Sequence, residues 1–129
     1  DSADLDAPDA SNYPNGRYAA GGQSALWLEI GASAASVEAL AASFSNYGQT
    51  RVDLFAPGDE VTSLEMGGGT QVAGGTSFAA PVVSGVAALL MGHFPDLTAA
   101  DVRDILLEPS ARHPEARVPV PGGEDLVPF

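Results

Sequence analysis

One serine, Ser77, stands where a glycine-rich loop is followed by a long apolar segment. No residue from 67 to 92 carries a formal charge, so a hydroxyl in this segment needs a chemical or structural reason. The pattern predicts a helix from about Ser77 to Met91. The start of a helix leaves backbone N–H groups without partners and carries a partial positive charge. A serine at that point could attack a carbonyl carbon while its own N–H stabilises the resulting oxyanion.

A structural role competes with nucleophilic chemistry at Ser77, and a second class of serine hydrolase has to be compared with the pattern. Small residues at a strand-to-helix turn let two backbones approach closely, and most serines at helix starts are caps. The nucleophile elbow of another hydrolase class, Gly-x-Ser-x-Gly, requires a second glycine where this chain has Ala79. The full pattern of residues 75–81, followed by an apolar helix, favours a catalytic serine over a cap.

The elements that must position Ser77 follow from the apolar pattern around it. Short apolar runs predict buried strands at residues 25–30 and 51–55, with Gly31 ending the first. Two shorter strands are expected at residues 60–65 and 70–73, on either side of three glycines. After the serine helix, Thr98 and Asp101 form a capping-box pattern for a second helix that runs to about Glu108. Residues 34–44 fit a short helix or a loop.

The chain has 129 residues, which suits one partial or modest domain with a single core. Residues 1–24 are predicted to form an acidic irregular loop, which includes Pro14, Asn15 and Gly16. Residues 25–108 hold the core strands and helices, and residues 109–129, with half of the prolines, form an extended tail. Strands followed by helices predict an α/β layered fold.

The composition excludes several classes of function. The chain has 17 acidic and 5 basic residues and a net charge of −12, which argues against nucleic-acid partners and an anionic membrane surface. It has no cysteine, hence no disulfide or thiolate metal site. The predicted serine helix of about 15 residues would be about 22 Å long, too short for a membrane span, and no signal peptide is recognisable.

The pattern Gly-Thr-Ser-x-Ala-x-Pro at residues 75–81 resembles the nucleophile motif of the subtilisin-like serine peptidases, the subtilases. Four further segments resemble the same family in its own order; they are residues 28–32, 42–48, 52–58 and 94–98. The resemblance implies the C-terminal portion of a subtilisin-like three-layer α/β fold. Its sheet would be mainly parallel, and a buried central helix would follow the nucleophile.

The resemblance also implies roles for individual residues. Ser77 would be the catalytic nucleophile, attacking peptide bonds through a seryl acyl-enzyme, and its N–H would be one oxyanion donor. Thr76 and Gly75 would shape the turn, and Pro81 would leave the Ser77 carbonyl without its usual helical donor. Asp53 would be structural or lie near a weak cation site. The parent enzyme would act on polypeptides, be secreted or lie in the cell envelope, and need no cofactor, although family members often bind calcium.

The chain lacks partners that this chemistry requires. Its two histidines, His93 and His113, both follow Ser77, and neither lies in the family's His-Gly-Thr context. His93 would lie about 24 Å from Ser77 along an unbroken helix. No Asp-Thr-Gly segment is present, and Asn12 and Asn46 do not match the family's oxyanion asparagine. The chain is therefore expected to be a fragment of a longer subtilase and inactive alone.

Two alternatives to a peptidase fragment stay open. One is a non-catalytic interaction module that kept the subtilase fold without its catalytic residues. The other is a separately folding piece that self-associates through apolar surface that the rest of the domain would cover.

Overall fold

The computed structural model describes residues 3–7, 24–36, 40–48, 50–108, 117–119 and 126–128. This part of the chain contains six strands and two helices, in the order β1 (Ile30–Ser33), β2 (Leu54–Pro57), β3 (Val61–Leu64), β4 (Thr70–Ala73), α1 (Thr76–His93), α2 (Ala99–Leu107), β5 (Arg117–Pro119) and β6 (Leu126–Pro128). Most of the predicted acidic loop, Asn12 and His113 lie outside the described residues.

Strands β1 and β2 form a parallel pair, which confirms the α/β class. The other pairs in the described part, β3–β4 and β5–β6, are antiparallel. The prediction that Gly31 ends the first strand is wrong, because Gly31 lies inside β1 opposite Phe55. A Cβ on Gly31 would lie 2.3 Å from the Phe55 ring, so the ring occupies the space that a side chain would need. Gly31 thus marks a close aromatic contact rather than a strand end.

The core lies between the β1–β2 pair and the first half of α1. Its buried members are small, and they let the helix approach the strands closely; they are Ala32, Ala42, Ala56, Ala79 and Val83. Leu106 of α2 and several residues of the strands pack around this cluster. The start of α1 is therefore the best-packed part of the helix.

The expectation of a buried central helix is wrong for most of α1. Only Ala79 and Val83 are buried in this helix of 18 residues. Apolar residues occur on all sides of α1, and the described residues pack against one side only. By length and composition α1 could also cross a membrane, and 11% of its 18 residues are buried. The helix is thus longer than the predicted length of about 15 residues. Core helices of soluble proteins can have the same length and apolar composition.

Strands β3 and β4 correspond to the two short strands expected on either side of the three glycines, and they pair as an antiparallel hairpin, with Val61 opposite Ala73 and Leu64 opposite Thr70. Gly67, Gly68 and Gly69 in its turn all have positive φ, a conformation that glycine adopts without a steric penalty. The local turn chemistry was therefore sufficient to predict this element.

Helix α2 begins at the predicted capping box. The Thr98 side chain accepts from the Asp101 N–H, and the Thr98 N–H donates to the Asp101 carboxylate. The Thr98 hydroxyl also donates to the Asp101 carboxylate at 2.6 Å. This hydrogen bond, followed by that from the Thr98 N–H, lowers the pKa of Asp101. On the apolar stripe, Val102 is buried against the core side while Ile105 stays more than a third exposed.

The segment between β1 and β2 is a loop that is hydrogen-bonded to the first residues of the chain, and its described residues contain no helix. The buried Ser45 hydroxyl accepts the Ala32 N–H at 3.0 Å, which satisfies a donor in β1. Leu5, only 2% exposed, and Tyr47 are linked by a backbone hydrogen bond of 2.7 Å. The predicted irregular loop and extended tail therefore contain ordered pieces, since Leu5 is buried and β5 pairs with β6.

Candidate active site

Ser77 is the second residue of α1 and is exposed to solvent. The residue at the cap position is Gly75, and no side chain makes a cap hydrogen bond there. The interpretation of Ser77 as a helix cap is therefore wrong. Its hydroxyl lies instead on the first turn of the helix, where backbone N–H groups lack intrahelical acceptors.

The turn before Ser77 depends on the conformation of Gly75. This residue has φ 153° and ψ 156°, a combination that is essentially restricted to glycine. Its carbonyl oxygen accepts the Phe78 N–H at 2.9 Å, which closes the first turn around Ser77. Thr76 then begins the helix. Gly75 and Thr76 thus lie where the sequence analysis placed them, and Gly75 sets the abrupt entry into α1.

The turn is fixed to the strand pair through Gly58, which directly follows β2. The Gly75 N–H donates to the Gly58 carbonyl oxygen at 2.7 Å, and the Gly58 N–H donates to the Ser33 carbonyl oxygen at 3.2 Å. In the sequence, Gly58 is only the last residue of the segment 52–58 that resembles the subtilases. Its contact with Gly75 joins residues 17 positions apart, which no local pattern reveals.

The electrostatic environment at the start of α1 favours negative charge. No acidic residue lies in the first turn of this helix, whose residues are all described. Within the helix, therefore, no carboxylate offsets the partial positive charge of its start, whereas the Asp59 carboxylate lies outside the helix beside Gly74. Pro81 lies inside α1 and has no N–H to donate to the Ser77 carbonyl. An anion that formed next to the Ser77 N–H would meet free donors and a favourable helix dipole.

The structure does not bring a histidine to Ser77 within its described part. His93 is the last residue of α1 and is exposed, with Nδ1 3.1 Å from the Leu89 carbonyl oxygen. Sixteen helical residues separate it from Ser77, about 24 Å along the axis, whereas proton transfer needs about 3 Å. His93 therefore lies on the surface at the far end of the helix from Ser77.

Asp53 makes structural contacts, in line with the role that the subtilase resemblance implied. One carboxylate oxygen accepts the Glu29 N–H at 2.7 Å, and the other lies 3.6 Å from the Arg103 guanidinium. Asp53 therefore connects the residues that directly precede β1 and β2 with helix α2.

The described residues contain no group of three or more His, Cys, Asp or Glu that could hold a metal ion. Calcium takes about six to eight oxygen ligands. The Asp53 carboxylate already contacts the Glu29 N–H and the Arg103 guanidinium.

Solved proteinases share this α/β arrangement. A cold-adapted subtilisin-like serine proteinase superimposes with a TM-score of 0.59 and 37% identity, covering 64% of this chain and 29% of that one. The patellamide maturation protease PatA superimposes with a TM-score of 0.54 and 36% identity, covering 65% of this chain and 32% of that one. The model described as the subtilase family matches residues 8–121. The chain therefore belongs to the subtilase family.

Curated relatives support the same assignment over a shorter segment. Subtilisin-like protease 7 of Arthroderma gypseum is 63% identical over 51 residues, which is 40% of this chain and 12% of that protein. Its counterpart in Trichophyton equinum is 59% identical over the same length. The matched segment thus spans only a small part of these relatives.

Proposed function

We propose that this chain is the nucleophile-bearing part of a longer subtilisin-like serine endopeptidase. The observation that carries the proposal is the position of Ser77, exposed on the first turn of α1 immediately after the Gly75 cap. Gly75 and Thr76 shape the turn, and the Ser77 N–H acts as one oxyanion donor. The polypeptide substrate would bind where its scissile carbonyl meets this helix start.

The reaction proposed for Ser77 proceeds through an acyl-enzyme. A base takes the proton of the Ser77 hydroxyl as Oγ bonds to the carbonyl carbon, and the tetrahedral oxyanion accepts the Ser77 N–H. The proton then passes to the leaving amine as the C–N bond breaks. Water next attacks the ester, which releases the acid and restores the hydroxyl. The base, the carboxylate that orients it and an oxyanion asparagine would come from elsewhere in the longer protein.

The isolated chain is proposed to be inactive. A serine hydroxyl is a weak nucleophile unless an adjacent base activates it. His93, at the opposite end of α1, is bonded to its own helix and lies too far from Ser77 to act. Secretion or location in the cell envelope is proposed for the longer protein, on the family resemblance alone.

Hydrolysis of a peptide substrate by the full-length protein tests the proposal, with Ser77→Ala and Ser84→Ala as a matched pair. Ser84 lies on the same helix, exposed, with its hydroxyl bonded to the Ala80 carbonyl oxygen. We expect Ser77→Ala to lose at least about 10³-fold in kcat and Ser84→Ala to retain the wild-type rate. Wild-type protein that cleaves no peptide, in a chain whose upstream sequence lacks Asp-x-Gly and His-Gly-Thr segments, would favour the non-catalytic module instead.

A further inference from the structure

Gly58 is the residue at which the parallel strand pair meets the start of α1. It is buried, and both of its backbone polar groups are engaged, with Ser33 on one side and Gly75 on the other. The bond to Gly75 is short at 2.7 Å. Because Gly75 precedes Ser77 by two residues, a shift of Gly58 is passed directly to the turn that presents Ser77.

The space at Gly58 leaves no room for a side chain. A Cβ there would lie 2.6 Å from the Ala32 Cβ, 3.0 Å from the Gly75 carbonyl oxygen and 3.1 Å from the Ala79 Cβ. Ala32 and Ala79 are both 0% exposed, so neither can retreat into solvent. Accommodating one methyl group therefore requires the strand pair and the start of α1 to move apart.

We propose that Gly58 is a positioning residue for Ser77, which acts by holding the Gly75 turn against the end of β2. The proposal rests on the function proposed for Ser77. A carbon at Gly58 pushes on the Gly75 carbonyl, which closes the first helical turn through the Phe78 N–H at 2.9 Å. The Ser77 hydroxyl and N–H then move together relative to a bound carbonyl. Misplacement of a reacting group by about 1 Å can cost about 10²-fold in rate.

The test uses Gly58→Ala in the full-length protein, with active sites titrated so that only folded enzyme is counted. We expect kcat per titrated site to fall about 10- to 100-fold, while KM stays within about a factor of three because uniform substrate binding is retained. Gly92→Ala is the matched control, because a Cβ on Gly92, near the other end of α1, meets nothing within 4 Å. This control is expected to keep the wild-type kcat.

A second substitution separates positioning from general destabilisation. Ala32→Gly removes the Cβ nearest to the one added by Gly58→Ala, but the added Cβ still lies 3.0 Å from the Gly75 carbonyl oxygen. The double variant is therefore expected to regain stability while its kcat stays about 10-fold below that of Ala32→Gly. If Gly58→Ala does not fold, the double variant carries the test alone, compared with Ala32→Gly. A kcat of Gly58→Ala equal to that of Gly92→Ala, or a folded double variant as fast as Ala32→Gly, would overturn the proposal. Inactive wild-type protein would instead overturn the function proposed for Ser77.

Discussion

At the scale of single residues, glycine rather than serine determines how the nucleophile is presented. Gly75 turns the chain from an extended segment into α1 through a conformation with φ 153° and ψ 156°. Side chains with a Cβ adopt this region only at a cost, and such strain is usually held in place by the surrounding structure. Here the restraint is the hydrogen bond from the Gly75 N–H to Gly58.

Gly75→Ala is predicted to destabilise the chain by about 1–3 kcal/mol, because alanine is strained at this φ and ψ. The free energy of unfolding in urea measures the effect. Gly92→Ala, in the helical backbone of α1 with open space at its Cβ, is expected to be neutral or slightly stabilising. Equal stabilities of the two variants would contradict the strain attributed to Gly75.

Tyr47 provides a pH-dependent test of how the beginning of the chain packs. Burial raises the pKa of Tyr47 above 10.0, and the nearby Asp4 carboxylate adds to the shift. The folded chain therefore keeps this proton where the unfolded chain has lost it, so stability falls as the pH rises above the unfolded pKa of about 10. The chain has no lysine or cysteine, so tyrosines dominate side-chain titration in this range.

Unfolding measured between about pH 9 and 11 should show this loss of stability in the wild type. Tyr47→Phe keeps the ring and removes the titrating hydroxyl, so its stability should change less over the same range. The same slope in both proteins would contradict the raised pKa of Tyr47.

At the scale of elements, Asp53 joins α2 to the strand pair. Its side chain and that of Arg103 are 27% and 29% exposed, so solvent screens their ion pair only in part. The distance from Arg103 Nη2 to Asp53 Oδ1 is 3.6 Å, longer than a hydrogen bond, which limits the strength of the ion pair. The hydrogen bond from the Glu29 N–H adds a second connection to the same carboxylate.

A double-mutant cycle of Asp53→Ala and Arg103→Ala is predicted to give a coupling of about 0.5–1 kcal/mol. Asp53→Ala alone should cost more than Arg103→Ala, because it also removes the acceptor of the Glu29 N–H. Denaturant unfolding of the four proteins measures both quantities. Additive effects of the two substitutions would show that Arg103 does not stabilise Asp53.

Elements with local signals could be predicted from the sequence, and those set by distant contacts could not. The β3–β4 hairpin follows from three turn glycines, and α2 follows from Thr98 and Asp101. The first strand was displaced because Gly31 was taken as a strand end, whereas the Phe55 ring fills the space beside it. The burial of α1 was overestimated because an apolar sequence does not specify which surfaces are present to cover it.

The candidate site divides in the same way. Ser77, Thr76 and Gly75 belong to one short segment, so their pattern was sufficient to propose a nucleophile and its turn. The contribution of Gly58 depends on its contact with Gly75, which only the folded chain reveals. A catalytic base for Ser77 would likewise be placed by tertiary structure and not by spacing.

At the scale of the whole molecule, a strong negative charge coexists with exposed apolar surface. The net charge is −12, which favours separate molecules through mutual repulsion. Val82, Val86 and Leu89 lie at helical spacing along the exposed side of α1, and Leu64 and Met66 on the hairpin are 83% and 97% exposed. Because salt screens the repulsion between molecules, the salt concentration should determine whether they associate through this apolar surface.

The isolated chain is predicted to self-associate as salt is raised to about 1 M, where the Debye length falls to about 3 Å. Light scattering over a range of protein concentrations measures the average mass. Leu89→Gln combined with Val86→Gln should reduce the association, whereas Ala100→Gln on the exposed side of α2 should not. A monomer at high concentration and high salt would contradict the prediction.

The most direct test of the account is covalent labelling of Ser77 by a fluorophosphonate, located by peptide mass mapping. We predict stoichiometric labelling at Ser77 in the full-length protein, because the nucleophile then has a base. The isolated chain should stay unlabelled under the same conditions, and Ser77→Ala should abolish labelling in the full-length protein. Stoichiometric labelling of the isolated chain at Ser77, or labelling of the full-length protein at another serine, would contradict the account.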